Sequence, residues 1–231
     1  MIGMRCAFAV AFGLLATSPA LAQDRGVWFV SGMLEQDLSA SAGATFALPG
    51  STLGNGWGAR PSIFTSRYMY LSGITPISGQ DTGGGVVGLY QISGAWGWAN
   101  FGAGLRYVDT SLSPADPGNT RQGGRLDGDF VTDGGGISGL WRTDWYMEFG
   151  PDQQNYYLRG AESYALNDSG SLRLGFEAGL QGDRNYNRSN VGALLIAGLD
   201  SRLEMRLSAG ATFQSGRGDQ GYVLLGFSQP F

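Results

Sequence analysis

The stretch "SLRLGFEAGLQG", residues 171–182, carries the pattern that decides the fold. Leu172, Leu174, Phe176, Ala178 and Leu180 occupy alternate positions, and Arg173, Gly175, Glu177, Gly179 and Gln181 fill the places between. Successive side chains of a strand point to opposite faces, so this segment is a strand with one apolar and one polar side. The pattern recurs on both sides. "RLEMRLSAGATF" (202–213) sets Leu203, Met205, Leu207, Ala209, Ala211 and Phe213 against Arg202, Glu204, Arg206, Ser208, Gly210 and Thr212. "NFGAGLRYV" (100–108) sets Phe101, Ala103, Leu105 and Tyr107 against Asn100, Gly102, Gly104 and Arg106. In "NVGALLIAGL" (190–199), Leu194 and Ile196 soften the contrast.

Turn chemistry separates these runs at short, even intervals. Turns are expected at 49–50, 74–80, 93–94, 113–123, 133–136, 151–152, 167–170, 183–188, 200–201 and 215–218. Strands are expected over 27–36, 41–48, 57–70, 84–92, 97–108, 123–132, 138–149, 155–166, 171–182, 188–199, 202–213 and 220–231. That is about twelve antiparallel strands, most near the roughly 9–11 residues that cross a bilayer at a tilt. Helix signals are nearly absent, and no segment after the N-terminus is apolar enough for a membrane-spanning helix.

Alternation alone fits a soluble sandwich or a membrane barrel, because one is the other turned inside out. Three features favour the barrel. The polar faces are rich in glycine and thin in charge: the chain has 40 glycines, and charged residues make up 15% of it. Aromatic residues gather near expected strand ends, among them Trp57, Tyr68, Tyr70, Trp96, Trp98, Tyr107, Trp141, Trp145, Tyr146, Tyr156, Tyr157 and Tyr222, as girdles at two interfaces would. The chain closes on "GYVLLGFSQPF" (221–231), with Val223, Leu225, Phe227 and Phe231 on one face. By analogy with bacterial outer-membrane barrels, these residues are expected to form the lipid-facing last strand and the assembly signal. The expected fold is therefore all-β: a transmembrane antiparallel up-and-down β-barrel.

The N-terminus, "MIGMRCAFAVAFGLLATSPALAQ", has a positive residue, an apolar core and a small-residue site ending at Ala22. It reads as a cleaved signal peptide over 1–22, leaving one barrel domain over 23–231. Cys6, the single cysteine, lies inside that segment. The mature chain would carry no disulfide and no cysteine metal site. Removing Arg5 with the leader changes 15 cations against 19 anions into 14 against 19, a net of −5. That balance argues against nucleic acid as a partner.

With no histidine, a serine–histidine lipase site and histidine-ligated metals are excluded. "TGGGVVG" and "DGGGISG" lack the lysine of a phosphate loop. "RGD" at 217–219 falls in an expected turn, and "DPGN" and "GDRNYN" read as turns before they read as calcium loops. A glycosidase would need paired carboxylates, for which Asp127 with Asp129, on one face, and Glu177 with Asp183, near one strand end, are the candidates. Their simpler reading is as lumen charges paired with arginine. The lumen-charge set is Arg106, Asp127, Asp129, Arg173, Glu177, Arg202, Glu204 and Arg206, with Arg106 expected opposite Asp127 or Asp129. No catalytic residue and no cofactor are expected.

The order of "ALPGSTLGNGW" (47–57), "GLRYVDTS" leading to "LSPADPGN" (112–119), "YLRGAESYAL", "LGFEAGLQGDRNYN" and the hairpin "RLSAGATFQSGRGDQGYVLLGF" resembles the alphaproteobacterial cellulose biosynthesis protein S family over residues 25–231. The long-loop motif, Ser113, Pro114, Asp116, Pro117 and Asn119, is its most specific part. The resemblance implies a non-enzymatic barrel in the outer membrane of a Gram-negative bacterium, serving cellulose synthesis as an exit conduit for the glucan or an anchor for the synthase. Lipid, the barrel-assembly machinery, and the cellulose chain or other synthesis subunits are the implied partners. Inward glycine and aromatic residues would offer a glucan a sliding surface. The rival readings are a small porin or adhesion barrel, and a membrane-embedded carbohydrate-active enzyme.

Overall fold

The computed structural model describes residues 24–35, 37–184, 187–214 and 218–231. The expected signal peptide and Arg217 of the RGD triplet lie outside them. Twelve strands follow one another: β1 (Gly26–Leu34), β2 (Leu38–Ala47), β3 (Gly56–Ser72), β4 (Thr75–Gly94), β5 (Gly97–Ser113), β6 (Gly123–Ser138), β7 (Trp141–Gly150), β8 (Asn155–Ala165), β9 (Leu172–Gly182), β10 (Asn187–Gly198), β11 (Glu204–Gln214) and β12 (Gln220–Pro230). Each pairs antiparallel with its sequence neighbours, and β1 pairs with β12, so the sheet closes into an up-and-down barrel.

Closure removes the free edges that an open sheet would expose. The seam runs from Val27 opposite Pro230 to Leu34 opposite Val223. Pro230, which has no N–H to donate, sits at the last rung, at the rim as expected. Beyond it the Phe231 carbonyl accepts from the N–H groups of Arg25 (2.8 Å) and Gly26 (3.1 Å), and the Phe231 N–H donates to Gly26 O (2.9 Å). The Phe231 ring meets Phe46 edge-on, with centroids 5.6 Å apart.

The apolar faces point outward. Ile63, Val86, Phe101, Leu105, Leu126, Phe130, Leu174, Phe176, Leu180, Val191, Val223 and Leu225 are exposed large hydrophobics on alternate positions of their strands. That is the outward band of a membrane barrel, about 25 Å tall. The terminal end of the barrel carries an aromatic girdle, with Trp57 edge-on to Tyr90 and Trp141 edge-on to Tyr164. The expected girdle is corrected at six positions. Tyr68, Tyr70, Trp98, Tyr146, Tyr157 and Tyr222 share the parity of the lumen-facing residues of their strands, and Tyr222 is buried.

Strand boundaries also differ. β4 begins at Thr75, because Gly73 takes a left-handed φ of 62° and completes a tight turn, so the polar run after it continues as strand. Residues 133–136 are not a turn. They lie in β6, and a Cβ on Gly134 would stand 2.6 Å from Trp145 Cζ2, so the glycine makes room for the indole on β7. The turn comes later, at Gly139, whose φ is 60°. Pro61 leaves a mark on the ladder: β2–β3 pairing runs to Gly43–Ser62, stops, and resumes at Phe46–Ala59. There Arg60 Nε donates to Thr45 Oγ1 at 2.9 Å.

The wall is uneven. β3 to β6 have 17, 20, 17 and 16 residues, against 9 in β1 and 12 in β10. Pairing of β3 with β2 reaches Arg67 and goes no further, while β3 and β4 stay paired to Ser72–Thr75. On the other side β6 leaves β7 at Phe130 and stays with β5 to Gly123. A four-stranded flap therefore stands above the rim opposite the termini. At a rise of about 3.3 Å per residue it stands about 15 Å high. Its outer face changes character, from the apolar Val86 and Leu105 to a mixture of exposed polar residues, Arg67, Gln80, Thr82, Asp109 and Ser111, with exposed Met69 and Leu71.

Candidate functional site

The lumen has two kinds of filling, both dictated by what alternates with the lipid face. Two apolar clusters are inward: Val87, Leu89 and Val131 with Tyr146 against them, and Ala161, Leu194 and Ile196. The second explains the softened contrast of β10, since Leu194 and Ile196 are buried inside while Val191 is exposed outside. The rest is a ladder of ion pairs along the barrel axis.

Several rungs join strands that are not neighbours. Near the terminal end, Arg142 of β7 reaches Glu204 of β11, with Nη1 to Oε2 at 2.6 Å and Nη2 to Oε1 at 3.3 Å. Arg142 Nε also donates to Asp144 Oδ1 at 3.2 Å, and Arg206 of β11 stands 3.7 Å from Asp144. Arg60 of β3 forms a two-pronged pair with Asp133 of β6, at 2.8 and 3.1 Å. The Asn100 amide donates to the same carboxylate at 3.0 Å. Glu177, 1% exposed, receives Arg159 through Nε (3.0 Å) and Nη2, and Tyr222 Oη of β12 at 3.1 Å. Arg106 of β5 pairs with Glu148 of β7, and Tyr146 donates to the other Glu148 oxygen at 2.7 Å. Arg188 of β10 pairs with Glu35 beyond the end of β1. Inward charges on a narrow barrel are costly unless paired and hydrogen-bonded, and these rungs meet that condition except at Arg206, whose buried Nε and Nη2 have no hydrogen-bond partner.

The structure sorts the expected lumen charges. Arg106, Glu177, Glu204 and Arg206 are inward and engaged as above. Asp127 lies opposite Arg106 in the register, yet the carboxylate bonded to that guanidinium is Glu148. Asp127 instead caps the β7–β8 turn, accepting the N–H groups of Asp152 (2.9 Å) and Gln153 (3.4 Å). The Asn155 amide, turned to satisfy both ends, links Arg106 to Asp127. Asp129 is inward and 5% exposed, and its Oδ1 has no hydrogen-bond partner. Arg173 is a staple: Nε donates to Gly170 O and Nη1 to Leu140 O, both at 3.1 Å, tying two turns together.

Arg202 is a correction. It was expected on the polar face of a strand beginning there, but β11 begins at Glu204. Asp200 accepts the backbone N–H of Arg202 (2.6 Å) and of Leu203 (2.7 Å), which fixes a turn, and Arg202 reaches Asp24 at 2.6 Å on the surface. Those two backbone donors, Leu203 first, hold the Asp200 carboxyl below its ordinary value.

The long-loop motif sits between β5 and β6 at the flap's edge of the mouth. Tyr70, inward on β3, donates to Asp116 Oδ2 and accepts from Asn119 Nδ2, both at 2.8 Å. Asp116 Oδ1 accepts Gly118 N–H (3.1 Å), and Asn119 Oδ1 accepts Arg121 N–H (2.9 Å). Arg121 then reaches across the mouth to Asp183, after β9. Ser113, Pro114 and Pro117 shape the loop without a side-chain bond among those seen. Below it Tyr68 Oη donates to Asp81 Oδ1 (3.3 Å), and Thr110 Oγ1 donates to the same oxygen (2.8 Å). The motif was legible in the sequence. Its partners Tyr70 and Asp183 were not, because each comes from another element; Arg121 follows the motif in the same loop, but its reach to Asp183 was not legible.

No group of three or more potential metal ligands is placed to hold an ion among the described residues. Asp127 and Asp129, considered for acid–base work, are a turn cap and a buried inward carboxylate.

Solved structures share the fold. The β domain of the Bordetella autotransporter Brka superposes with a TM-score of 0.54 at 13% identity, covering 90% of this chain and all (100%) of that one. An outer-membrane channel from Pseudomonas putida F1 gives 0.53 at 10% identity, with 94% and 100% covered. No curated protein sequence matches the chain. The model of the family described as cellulose biosynthesis protein BcsS matches residues 32–231, nearly all of the barrel, and the protein belongs to that family.

Proposed function

We propose that this barrel serves cellulose biosynthesis as a closed, non-enzymatic outer-membrane accessory, an anchor rather than an exit conduit. The observation carrying this reading is the ladder of ion pairs between non-adjacent strands, above all Arg142 to Glu204 and Arg60 to Asp133. Each rung runs across the space a glucan would need, and the apolar clusters of Leu89 and Leu194 fill the space between. A barrel near eight strands is filled by its own side chains, and the wide water-filled channels belong to sixteen or more. Twelve strands lie between, where side-chain size decides, and here long arginines meet acidic partners. Residues 1–22 are the leader that delivers the chain. The flap faces the cell exterior, in keeping with long outer and short inner connections. Lipid contacts the apolar band, and the assembly machinery reads the last strand.

Deleting the gene lowers the amount of cellulose held at the cell surface in this reading, and the purified barrel is silent in a planar bilayer. Replacing Arg142, Arg60 and Arg106 together with alanine opens conductance. An unchanged cellulose yield in the deletion strain overturns the role. Conductance of the unmodified barrel that cello-oligosaccharides block overturns the anchor in favour of the conduit.

A further inference from the structure

Inside the flap, β3 presents Phe64, Tyr68 and Tyr70 on its inner face, rising in that order from the rim. The β4 positions opposite Phe64 and Tyr68 are glycines, and buried Ile77 stands opposite Tyr70. A Cβ on Gly83 would stand 2.6 Å from the Phe64 ring, and a Cβ on Gly79 would collide with the Tyr68 ring. The Phe64 and Tyr68 rings therefore lie across the neighbouring strand in space that any other residue would fill. Tyr68 and Tyr70 are stacked, with centroids 6.3 Å apart and planes 28° apart. Among the described residues no strand faces Tyr68 and Tyr70 above the rim, since β1, β2 and β7 to β12 end lower. Around the pair stand short, planar, charged or amide groups: Asp81, Asp116, Asn119 and Arg125, the last donating to Thr110 Oγ1 at 3.2 Å. Arg125 keeps Nε and Nη1 without hydrogen-bond partners.

We infer that this inner face of the flap is a docking platform for a β-linked glucan chain. The apolar C–H faces of equatorially substituted glucose rings suit stacking on aromatic faces, and the ring hydroxyls suit paired carboxylates, amides and a guanidinium. An extended β-linked chain presents those faces flat along its length, as a row of rings on one strand requires. An α-linked chain coils away from them. The loop of Asp116 and Asn119, tied across to Asp183 through Arg121, borders the platform and holds the Tyr70 hydroxyl. The inference rests on the cellulose role proposed above and gives that role a place: the barrel holds the glucan at its mouth instead of passing it through.

The test is calorimetric binding of cellohexaose and of maltohexaose to the full-length folded protein in detergent. The inference requires cellohexaose to bind and maltohexaose to bind at least tenfold more weakly. Tyr68→Ala and Tyr70→Ala each cut cellohexaose affinity at least tenfold, Tyr70→Phe keeps most of it, and Trp57→Ala, at the far end, leaves it unchanged. Heat-dependent gel mobility establishes that each variant is a folded barrel. Equal affinity for both sugars, or full binding by folded Tyr68→Ala, overturns the platform. The cellulose yield of the deletion strain is read separately. A lowered yield restored fully by Tyr68→Ala/Tyr70→Ala sinks the platform and leaves the accessory role standing. An unchanged yield alongside specific cellohexaose binding sinks the role and leaves the platform.

Discussion

The wall formed by β3 to β6 and the wall formed by the other strands obey the same alternation and do different work. The short wall is matched to the bilayer: its strands run from 9 to 12 residues, its outside is mainly apolar, with Thr143 bonded to Glu162 as a polar exception, and its inside is dense with ion pairs. The tall wall keeps that character only up to the rim. Above it the outside mixes polar residues with exposed Met69 and Leu71, the inside turns aromatic and glycine-rich, and among the described residues no strand packs against it. One pattern thus supports a stability element and an exposed surface, and what separates them is the presence of an opposite side of the barrel.

Substitutions sharpen that contrast. Glu177→Ala, on the short wall, strands Arg159 and leaves Tyr222 without its acceptor. We expect a loss of about 3–5 kcal/mol, the scale for breaking a buried pair by removing one partner, read as a lowered denaturation midpoint in heat-modifiability gels. Arg121→Ala, where the loop of the tall wall crosses to the short one, exposes a largely buried Asp183. About 1–3 kcal/mol of local stability should go, appearing as faster proteolysis within residues 114–122 while the barrel midpoint moves little. Phe231→Ala removes the edge-on contact with Phe46 at the seam. The expected cost is about 0.5–1.5 kcal/mol beyond lost area, with a reduced yield of inserted barrel, and a wild-type yield would remove the assembly-signal reading.

The smallest effect concerns Asp200, on a turn at the terminal end. Its folded-state carboxyl titrates below its ordinary value, so the turn's contribution is complete above the unfolded value of about 3.9 and is lost as pH falls through the lower folded one. Asp200→Asn should remove that acid-limb dependence while leaving the neutral-pH midpoint almost unchanged.

The fold was legible because a period of two survives any tertiary context. "SLRLGFEAGLQG" faces as its letters alternate, with Glu177 in and Phe176 out. Glycine was the ambiguous letter. At 133–136 it looked like a turn and proved to be space for Trp145, a fact that depends on β7 and not on the local sequence. Tyrosine was the other: Tyr68 and Tyr70 resemble girdle residues by type, and only their parity with Arg60 sends them inside. Of the ladder's members, Arg106, Glu177, Glu204 and Arg206 were readable as inward charges; Arg60, Asp133, Arg142, Glu148 and Arg159 were not singled out, and the partners were not readable. Arg106 was matched to the next strand, whereas its side chain spans to the one after, to Glu148. Side-chain reach across a curved wall is set by barrel radius, which no local pattern encodes.

The seam between β1 and β12 joins the residues most distant in sequence of any paired strands. Its rungs span nearly the whole chain, so closure carries the highest contact order in the molecule. Until then two adhesive edges wait on opposite flanks of an open sheet, each able to recruit a foreign strand. The clasp of Phe231 on Arg25 and Gly26 is therefore a timing device as well as a lock: it is the step that ends the interval in which this sheet is vulnerable to aggregation.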